Sequence, residues 1–269
     1  PPGRTWSERP VRCRAMTISI DLSGRVALVT GGARGVGRGI TDRLRDAGAT
    51  VVVCGRSTPE PGTLPSDVVF RAADVTDHAS VNELIDGIVA ERGRLDVAGN
   101  NAGGSPGTDA ATASPRFSEK IIALNLTSAL HVAQAANRVM QGQDTGGSIV
   151  NVTSLSGMRP SPGTAVYGAA KAGLINLTTS LAMEWAPKVR INCVSAGMVR
   201  TELFDDYYGG PDGAAAVAAT VPLGRVADPA DVGNAVAWLA SDLAGYVTGT
   251  NLVVHGGGER LKFFDHQQG

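Results

Sequence analysis

The sequence predicts an α/β fold, a single domain built on a doubly wound parallel sheet with helices on both faces. Three observations predict it. Short apolar runs of strand length alternate strictly with segments whose apolar residues recur at helical spacing. The first run passes directly into a glycine-rich turn, Thr30 to Gly37 (TGGARGVG), that opens a helix. The polar residues with chemistry to offer, Asn101, Ser154 and Thr201 among them, fall at or just beyond the ends of the runs, where a parallel sheet places its ligand crevice.

Arg25 to Thr30 (RVALVT) is almost wholly apolar, the pattern of a strand covered on both faces. Ile40, Leu44 and Ala47 follow at helical spacing, Gly48 stops that helix, and Thr50 to Cys54 is the second strand, so the unit is βαβ. A glycine turn at this junction lets backbone N–H groups face a pyrophosphate at the positive end of the helix, where a side chain would block the approach. Gly31, Gly35 and Gly37 are the candidates, with Arg34 and Val36 between them. The second strand ends Cys54, Gly55, Arg56, without a carboxylate to accept a ribose 2′-OH. Arg56 offers a guanidinium to a 2′-phosphate and Arg34 stands ready to help, which favours NADP(H) over NAD(H); the alternative is a solvated loop arginine.

A third run, Val68 to Ala72, leads to Asp74 and Val75, where Asp74 either meets an adenine amino group or is a plain turn residue. Asp77 is the N-cap of a helix carrying Val81, Leu84, Ile85 and Ile88 and ending at Gly93. Leu95 to Gly99 is the fourth strand, followed by Asn100, Asn101, Ala102 and Gly103. One helix is expected from about Ser118 to Met140, with Asn125 on its buried face. A buried amide must find partners or cost stability, so Asn125 has either a polar task or a structural one.

The strand Ser148 to Thr153 delivers Ser154, and a loop rich in Gly, Pro and Ser leads to a helix that carries Tyr167 and Lys171 and ends near Pro187. Four residues apart on a helix, Tyr167 and Lys171 project from one face, one turn from each other. A phenol has an ordinary pKa of about 10, and a fixed ammonium nearby lowers it by stabilising the phenolate. With the Ser154 hydroxyl on the reacting oxygen, this is general acid–base chemistry at a C–O centre. A YxxxK spacing alone also arises by accident on an exposed helix face; the dinucleotide turn upstream gives it weight.

The next strand, Val189 to Val194, runs into Ser195, Ala196, Gly197, Met198, Val199, Arg200 and Thr201. Beyond it, Glu202 to Thr220 holds Phe204, Tyr207 and Tyr208, three of the chain's twelve aromatics, bounded by glycines. This segment reads as a substrate lid, about residues 200–222, or as an ordinary packed surface helix. A helix from Asp228 to Ala240 and a strand from Asn251 to Val254 close the domain, and the tail Glu259 to Gly269, with Phe263 and Phe264, either reaches a neighbouring subunit or frays.

At 269 residues, 43% hydrophobic and a formal net charge of −1, the chain fits one large soluble domain and offers no basic field to nucleic acid or an acidic membrane. No apolar run approaches a membrane span and no secretory signal is visible, so a cytoplasmic protein is expected. Cys13, Cys54 and Cys193 lie far apart, without metal-ligand spacing, and read as free thiols. Residues 1–15 (PPGRTWSERPVRCRA) lack a hydrophobic period and are expected to be a disordered extension ahead of the domain, residues 16–269. Glu8 and the prolines fit an amphipathic presequence poorly.

Taken together, TGGARGVG, NNAGG, Asn125, Ser154, Tyr167, Lys171 and the AGMVRT turn resemble the classical short-chain dehydrogenases/reductases over about residues 20 to 257. The resemblance implies a Rossmann-like sheet of seven strands, a nicotinamide cofactor, a small-molecule substrate and a homotetramer, or at least a homodimer. It implies Tyr167 as acid or base, Ser154 polarising the substrate oxygen, and Lys171 holding the nicotinamide ribose while lowering the Tyr167 pKa. Asn125 would hold a water in the proton relay, Asn101 would brace the central strand, and Val199 and Thr201, with Gly197, would meet the carboxamide and phosphate end of the cofactor. Departures are Ala98 and Gly99 where bulky aliphatics are usual, which implies looser packing under the nicotinamide, Ala196 in place of a common Pro, and His255 in place of a frequent Asp. The reaction expected is hydride transfer between a nicotinamide and a secondary alcohol or ketone. The lid and the small-residue loop Gly104 to Gly107 point to a bulky apolar substrate, and the chain's wording is similar to members acting on sterol-derived or 3-oxoacyl-thioester substrates. Arg159 and Arg200 either meet a carrier's phosphates or are solvated. The alternatives are an epimerase or dehydratase on the same scaffold, and a non-catalytic cofactor-sensing protein.

Overall fold

The computed structural model describes residues 18–202 and 204–260; the expected extension at residues 1–15, and Phe263 and Phe264 of the tail, lie outside them. Seven strands, β1 (Val26–Thr30), β2 (Thr50–Gly55), β3 (Val69–Ala72), β4 (Val97–Asn100), β5 (Gly147–Ser154), β6 (Val189–Ala196) and β7 (Asn251–Val254), form one sheet in the order β3-β2-β1-β4-β5-β6-β7. Every neighbouring pair is parallel. The order reverses between β1 and β4, beyond whose carboxyl ends a doubly wound sheet places its ligand crevice.

Burial on both faces explains why the strands read as continuous apolar runs. Leu28 packs into one core with Ile85, Val132, Ile149 and Ile191, while its neighbour Val29 packs into the other with Ile40, Leu44, Val150 and Val236. Helices α1 (Gly35–Asp46) and α8 (Pro229–Ala240) cover the Val29 face; α2 (His78–Arg92), α4 (Ser128–Gly142) and α5 (Ala165–Trp185) cover the Leu28 face. Local signals set the helix ends. The Asp77 carboxylate accepts from Ala79 N at 2.9 Å to start α2, which stops at Gly93 with φ at 76°. The α1 and α8 backbones touch at glycine: a Cβ on Gly39 would stand 2.3 Å from Pro229 O, and one on Gly233 would stand 2.3 Å from Gly39 O.

The helix expected from Ser118 to Met140 is interrupted. A regular helix α3 (Pro115–Ile122) starts at the Ser114 N-cap, a π-helical turn spans Ala123–Thr127, and α4 follows. The turn inserts one residue into the helical period, a device typical of functional sites, and Asn125 sits inside it. Strand β6 runs past the expected Val194 to Ala196, whose register partners are Ser154 and Val254, so the departure at Ala196 leaves the ladder intact. At Gly99 an added Cβ would find its nearest neighbours at 3.6 to 3.7 Å, so room remains there, in line with looser packing. The segment after Glu202 forms two short helices, α6 (Phe204–Tyr207) and α7 (Gly210–Thr220), whose Phe204 and Ala214 pack with Val226, Met198, Tyr208 and Val217.

Candidate active site

The carboxyl edge of the sheet gathers the predicted residues, and side chain to backbone ties fix them. At the end of β1 the buried Thr30 Oγ1 accepts from both Asn101 N (3.0 Å) and Ala102 N (2.9 Å), while Asn101 Nδ2 donates to Thr30 O (3.0 Å) and Gly31 O (3.3 Å). Asn101 thus ties the chain just past β4 to the end of β1 and the glycine turn. Thr30 itself was missed; a hydroxyl ending a buried strand needs partners, and that was the available signal.

The turn has the shape of a phosphate cradle. Gly31 and Gly35 take φ of +63° and +53°, left-handed values that disfavour a side chain. A Cβ on Gly37 would lie 2.1 Å from Gly31 O, so the helix and turn are in contact there. Val36 and Val199 are half-buried in the same core, and Thr201 packs against Gly35. Gly197 approaches His255 closely, with a Cβ placed 2.8 Å from His255 Cα. Gly35 N donates to Glu202 Oε1 at 3.0 Å, so a carboxylate stands where an anion is expected. The backbone of the turn therefore fits a dinucleotide's pyrophosphate.

At the outer end of the crevice Arg56 is exposed and makes no hydrogen bond or ion pair among the described residues. Its charge helps hold the Asp74 carboxyl below the ordinary range, behind the larger effect of the Thr76 hydroxyl and amide, which donate to Asp74 Oδ1 at 2.7 and 2.9 Å. Asp74 is thus a turn residue whose Oδ2 makes no hydrogen bond among the described residues, beside the buried Val75. Arg34 is exposed at the turn, whereas Arg38 is held by Asp42.

In the π turn, Asn125 is 1% exposed and braces its surroundings with both amide hydrogens and its oxygen. Its Oδ1 accepts from Gly104 N (2.8 Å), and its Nδ2 donates to Gly104 O (2.9 Å) and to Ile121 O (3.0 Å). The last bond supplies a partner to a helix carbonyl in the turn preceding the bulge. Gly103 lies between Asn125 and Lys171: a Cβ there would stand 2.7 Å from Asn125 Oδ1 and 3.2 Å from Lys171 Nζ. Gly103 is thus closely approached by both the Asn125 and the Lys171 side chains.

Ser154 closes β5 with its Oγ accepting from Ser156 N at 3.1 Å. Tyr167 and Lys171 project from α5 as expected, with Nζ 5.6 Å from the Tyr167 ring centroid. Nζ donates to Val152 O at 2.9 Å, and the ammonium is almost wholly buried. Burial lowers the Lys171 pKa to about 8, against a smaller upward pull from Cys193. The sequence reading expected Lys171 to lower the Tyr167 pKa. Burial instead raises the phenol, and the hydrogen bond with Ser154 pulls it back in part. The reason is depth: the spacing of the pair is legible in sequence, the desolvation of both is not.

Arg159 is spoken for. It pairs with Glu259 and donates to Pro160 O at 2.9 Å, while Arg200 remains exposed. Between the loop after β4 and the start of α5, a small cleft is lined by Ser105, Thr108, Ala113, Phe117, Val166 and Tyr167.

A nucleotide cradle at the β1 carboxyl end, with a Ser, Tyr and Lys site at the ends of β5 and α5, defines a dinucleotide-dependent oxidoreductase class. The chain belongs to the classical short-chain dehydrogenases/reductases, NAD(P)-dependent enzymes acting on CH–OH and C=O groups. The family described as enoyl-(acyl carrier protein) reductase matches residues 31–259. The chain is 38% identical over 268 residues to cyclohexanol dehydrogenase of Rhodococcus sp. (strain TK6), covering 90% of this chain and 98% of the relative. It is 36% identical over 249 residues to 3-oxoacyl-(acyl-carrier-protein) reductase of Escherichia coli (strain K12), covering 88% and 98%. The crystal structure of a putative short-chain alcohol dehydrogenase from Sinorhizobium meliloti superposes with a TM-score of 0.82 at 34% identity, covering 88% of this chain and 97% of that one. Among the described residues no helix is long and apolar enough to cross a membrane.

Proposed function

We propose that the protein catalyses reversible oxidoreduction between a bulky apolar secondary alcohol and its ketone, with NADP(H) favoured over NAD(H). When bound, the nicotinamide supplies or takes up hydride at its C4. Tyr167 gives the proton to the substrate oxygen in reduction and takes it in oxidation, and Ser154 holds that oxygen by a hydrogen bond. Lys171 holds the nicotinamide ribose and stabilises the phenolate as the proton leaves. Asn125, braced against Gly104, holds a water that refills the proton through Lys171. Gly31, Arg34, Gly35, Val36 and Gly37 receive the pyrophosphate, Asp74 and Val75 the adenine, Asn101, Ala102 and Gly103 the ribose side, and Gly197, Val199 and Thr201 the carboxamide end.

The observation that carries this reading is the grouping of half-buried Tyr167 with Ser154, by a hydrogen bond, and with buried Lys171, 5.6 Å from its ring, at the same sheet edge as the glycine turn. Tyr167→Phe is expected to abolish turnover while leaving cofactor binding; retained turnover sinks the assignment. The free guanidinium of Arg56 supports NADP(H), and titration with NADPH and NADH tests it, a preference for NADH refuting that part. For the substrate, the apolar lid packing and the neutralisation of Arg159 by Glu259 favour a ring ketone, sterol-derived or alicyclic, over a phosphate-bearing acyl thioester. A panel of steroid ketones, 3-oxoacyl thioesters and small ketones, followed at the nicotinamide absorbance, decides between them; net cofactor oxidation also separates this reading from an epimerase or dehydratase. The assembly expected from the family resemblance is a homotetramer or homodimer, which light scattering on the purified chain tests.

A further inference from the structure

Helix α1 has neither a side-chain cap of its own nor an acidic residue in its first turn. Its N-terminal amide at Gly35 is instead met by Glu202, 167 residues away, with N to Oε1 at 3.0 Å. Thr201 lies against the same glycine, its Cγ2 3.3 Å from where a Cβ would be, and Phe204 N donates to Thr201 O at 3.0 Å, so the contact is continuous with the first lid helix. The Glu202 carboxyl is held below its ordinary pKa mainly by the Gly35 amide, with smaller help from its own amide and from the Arg34 and Arg38 charges. A carboxylate therefore sits where the amide of the glycine turn and the positive helix end meet.

We infer that Glu202 is an internal competitor of the cofactor pyrophosphate: its carboxylate caps α1 while the crevice is empty and must leave when phosphate arrives, releasing the start of the lid. The inference rests on the dinucleotide reading of the glycine turn. One amide hydrogen cannot serve two anions, and two negative charges at one helix end repel. Binding of the cofactor and movement of the lid are thereby a single exchange of anions at Gly35. Leaving Gly35 shifts Glu202 relative to Thr201, and α6 follows through the Phe204 bond.

The test compares the full chain with Glu202→Gln, an exposed position whose change leaves the fold in place, using calorimetric titration with ADP-ribose and with adenosine, and hydrogen exchange over residues 201–220. Removing the charge is expected to tighten ADP-ribose about threefold to tenfold while leaving adenosine unchanged. Without ligand, exchange across the lid is expected to be faster in the variant, and saturating ADP-ribose to bring the two proteins together. Unchanged or weaker ADP-ribose binding, an equal gain for adenosine, or identical lid exchange without ligand overturns the inference. Binding of ADP-ribose to neither protein overturns the dinucleotide reading and this inference with it.

Discussion

Replacing Lys171 with methionine is expected to make the ligand-free protein more stable while destroying its activity. Burial lowers the Lys171 pKa from 10.5 to about 8, and at about 1.4 kcal/mol per unit the charged form costs about 3 kcal/mol in the native state. Methionine keeps the length of the side chain and forfeits the bond to Val152 O, worth about 1 kcal/mol, which leaves a net gain of about 2 kcal/mol at pH 7. The sign follows from proton counting. Because folding lowers this pKa, the unfolded chain still holds the proton between pH 8 and 10.5 where the native protein has released it, so wild-type stability rises through that window. The Tyr167 and Cys193 groups, with raised pKa values, pull the other way in both proteins, so the difference between the proteins reports Lys171 together with its smaller charge coupling to Cys193. Urea unfolding of both, without cofactor, at intervals from pH 7 to 10 measures it. The variant should lead at pH 7 and lose its lead by pH 10. Parallel curves would refute the reasoning.

Two further substitutions probe the frame around the site. Asn125→Ala removes three hydrogen bonds, one buried and two part-buried, so at about 1 kcal/mol each a loss of about 3 kcal/mol is expected in urea unfolding; a loss under about 1 kcal/mol would show that the clamp is not there. Gly99→Ala places a methyl in ordinary van der Waals contact, with no neighbour closer than 3.6 Å, and narrows the unfolded ensemble, for an expected gain of about 0.5 kcal/mol in the same assay with cofactor affinity unchanged.

The order of elements was legible because strands buried on both faces are written as unbroken apolar runs and helix ends as Asp77, Gly48 and Gly93. Ser154, Tyr167 and Lys171 were legible because a strand end and a helical spacing of four place them without further knowledge. Three features were not. The π turn at Asn125 adds a single residue to a helical period, and an apolar pattern with a tolerance of one residue does not record it. The direction of the Tyr167 shift depends on how deep the phenol lies, which neighbours remote in sequence decide. The pairings of Gly35 with Glu202 and of Arg159 with Glu259 join residues 167 and 100 positions apart, and nothing local marks a charge as the partner of a distant group.

The meeting of α1 and α8 through Gly39 and Gly233 bears on exchange of segments between relatives. Where two helices touch main chain to main chain, no rotamer remains to absorb a misfit, and an added methyl at either glycine would stand 2.3 Å from a carbonyl oxygen. The first helix, which carries the nucleotide turn, is thereby matched to a helix near the other end of the chain. A hybrid joined anywhere between Asp46 and Pro229 keeps that match only when one parent supplies glycine at position 39 and the other supplies it at position 233. The inherited unit behind the turn is thus a pair of helices drawn from opposite ends of the sequence.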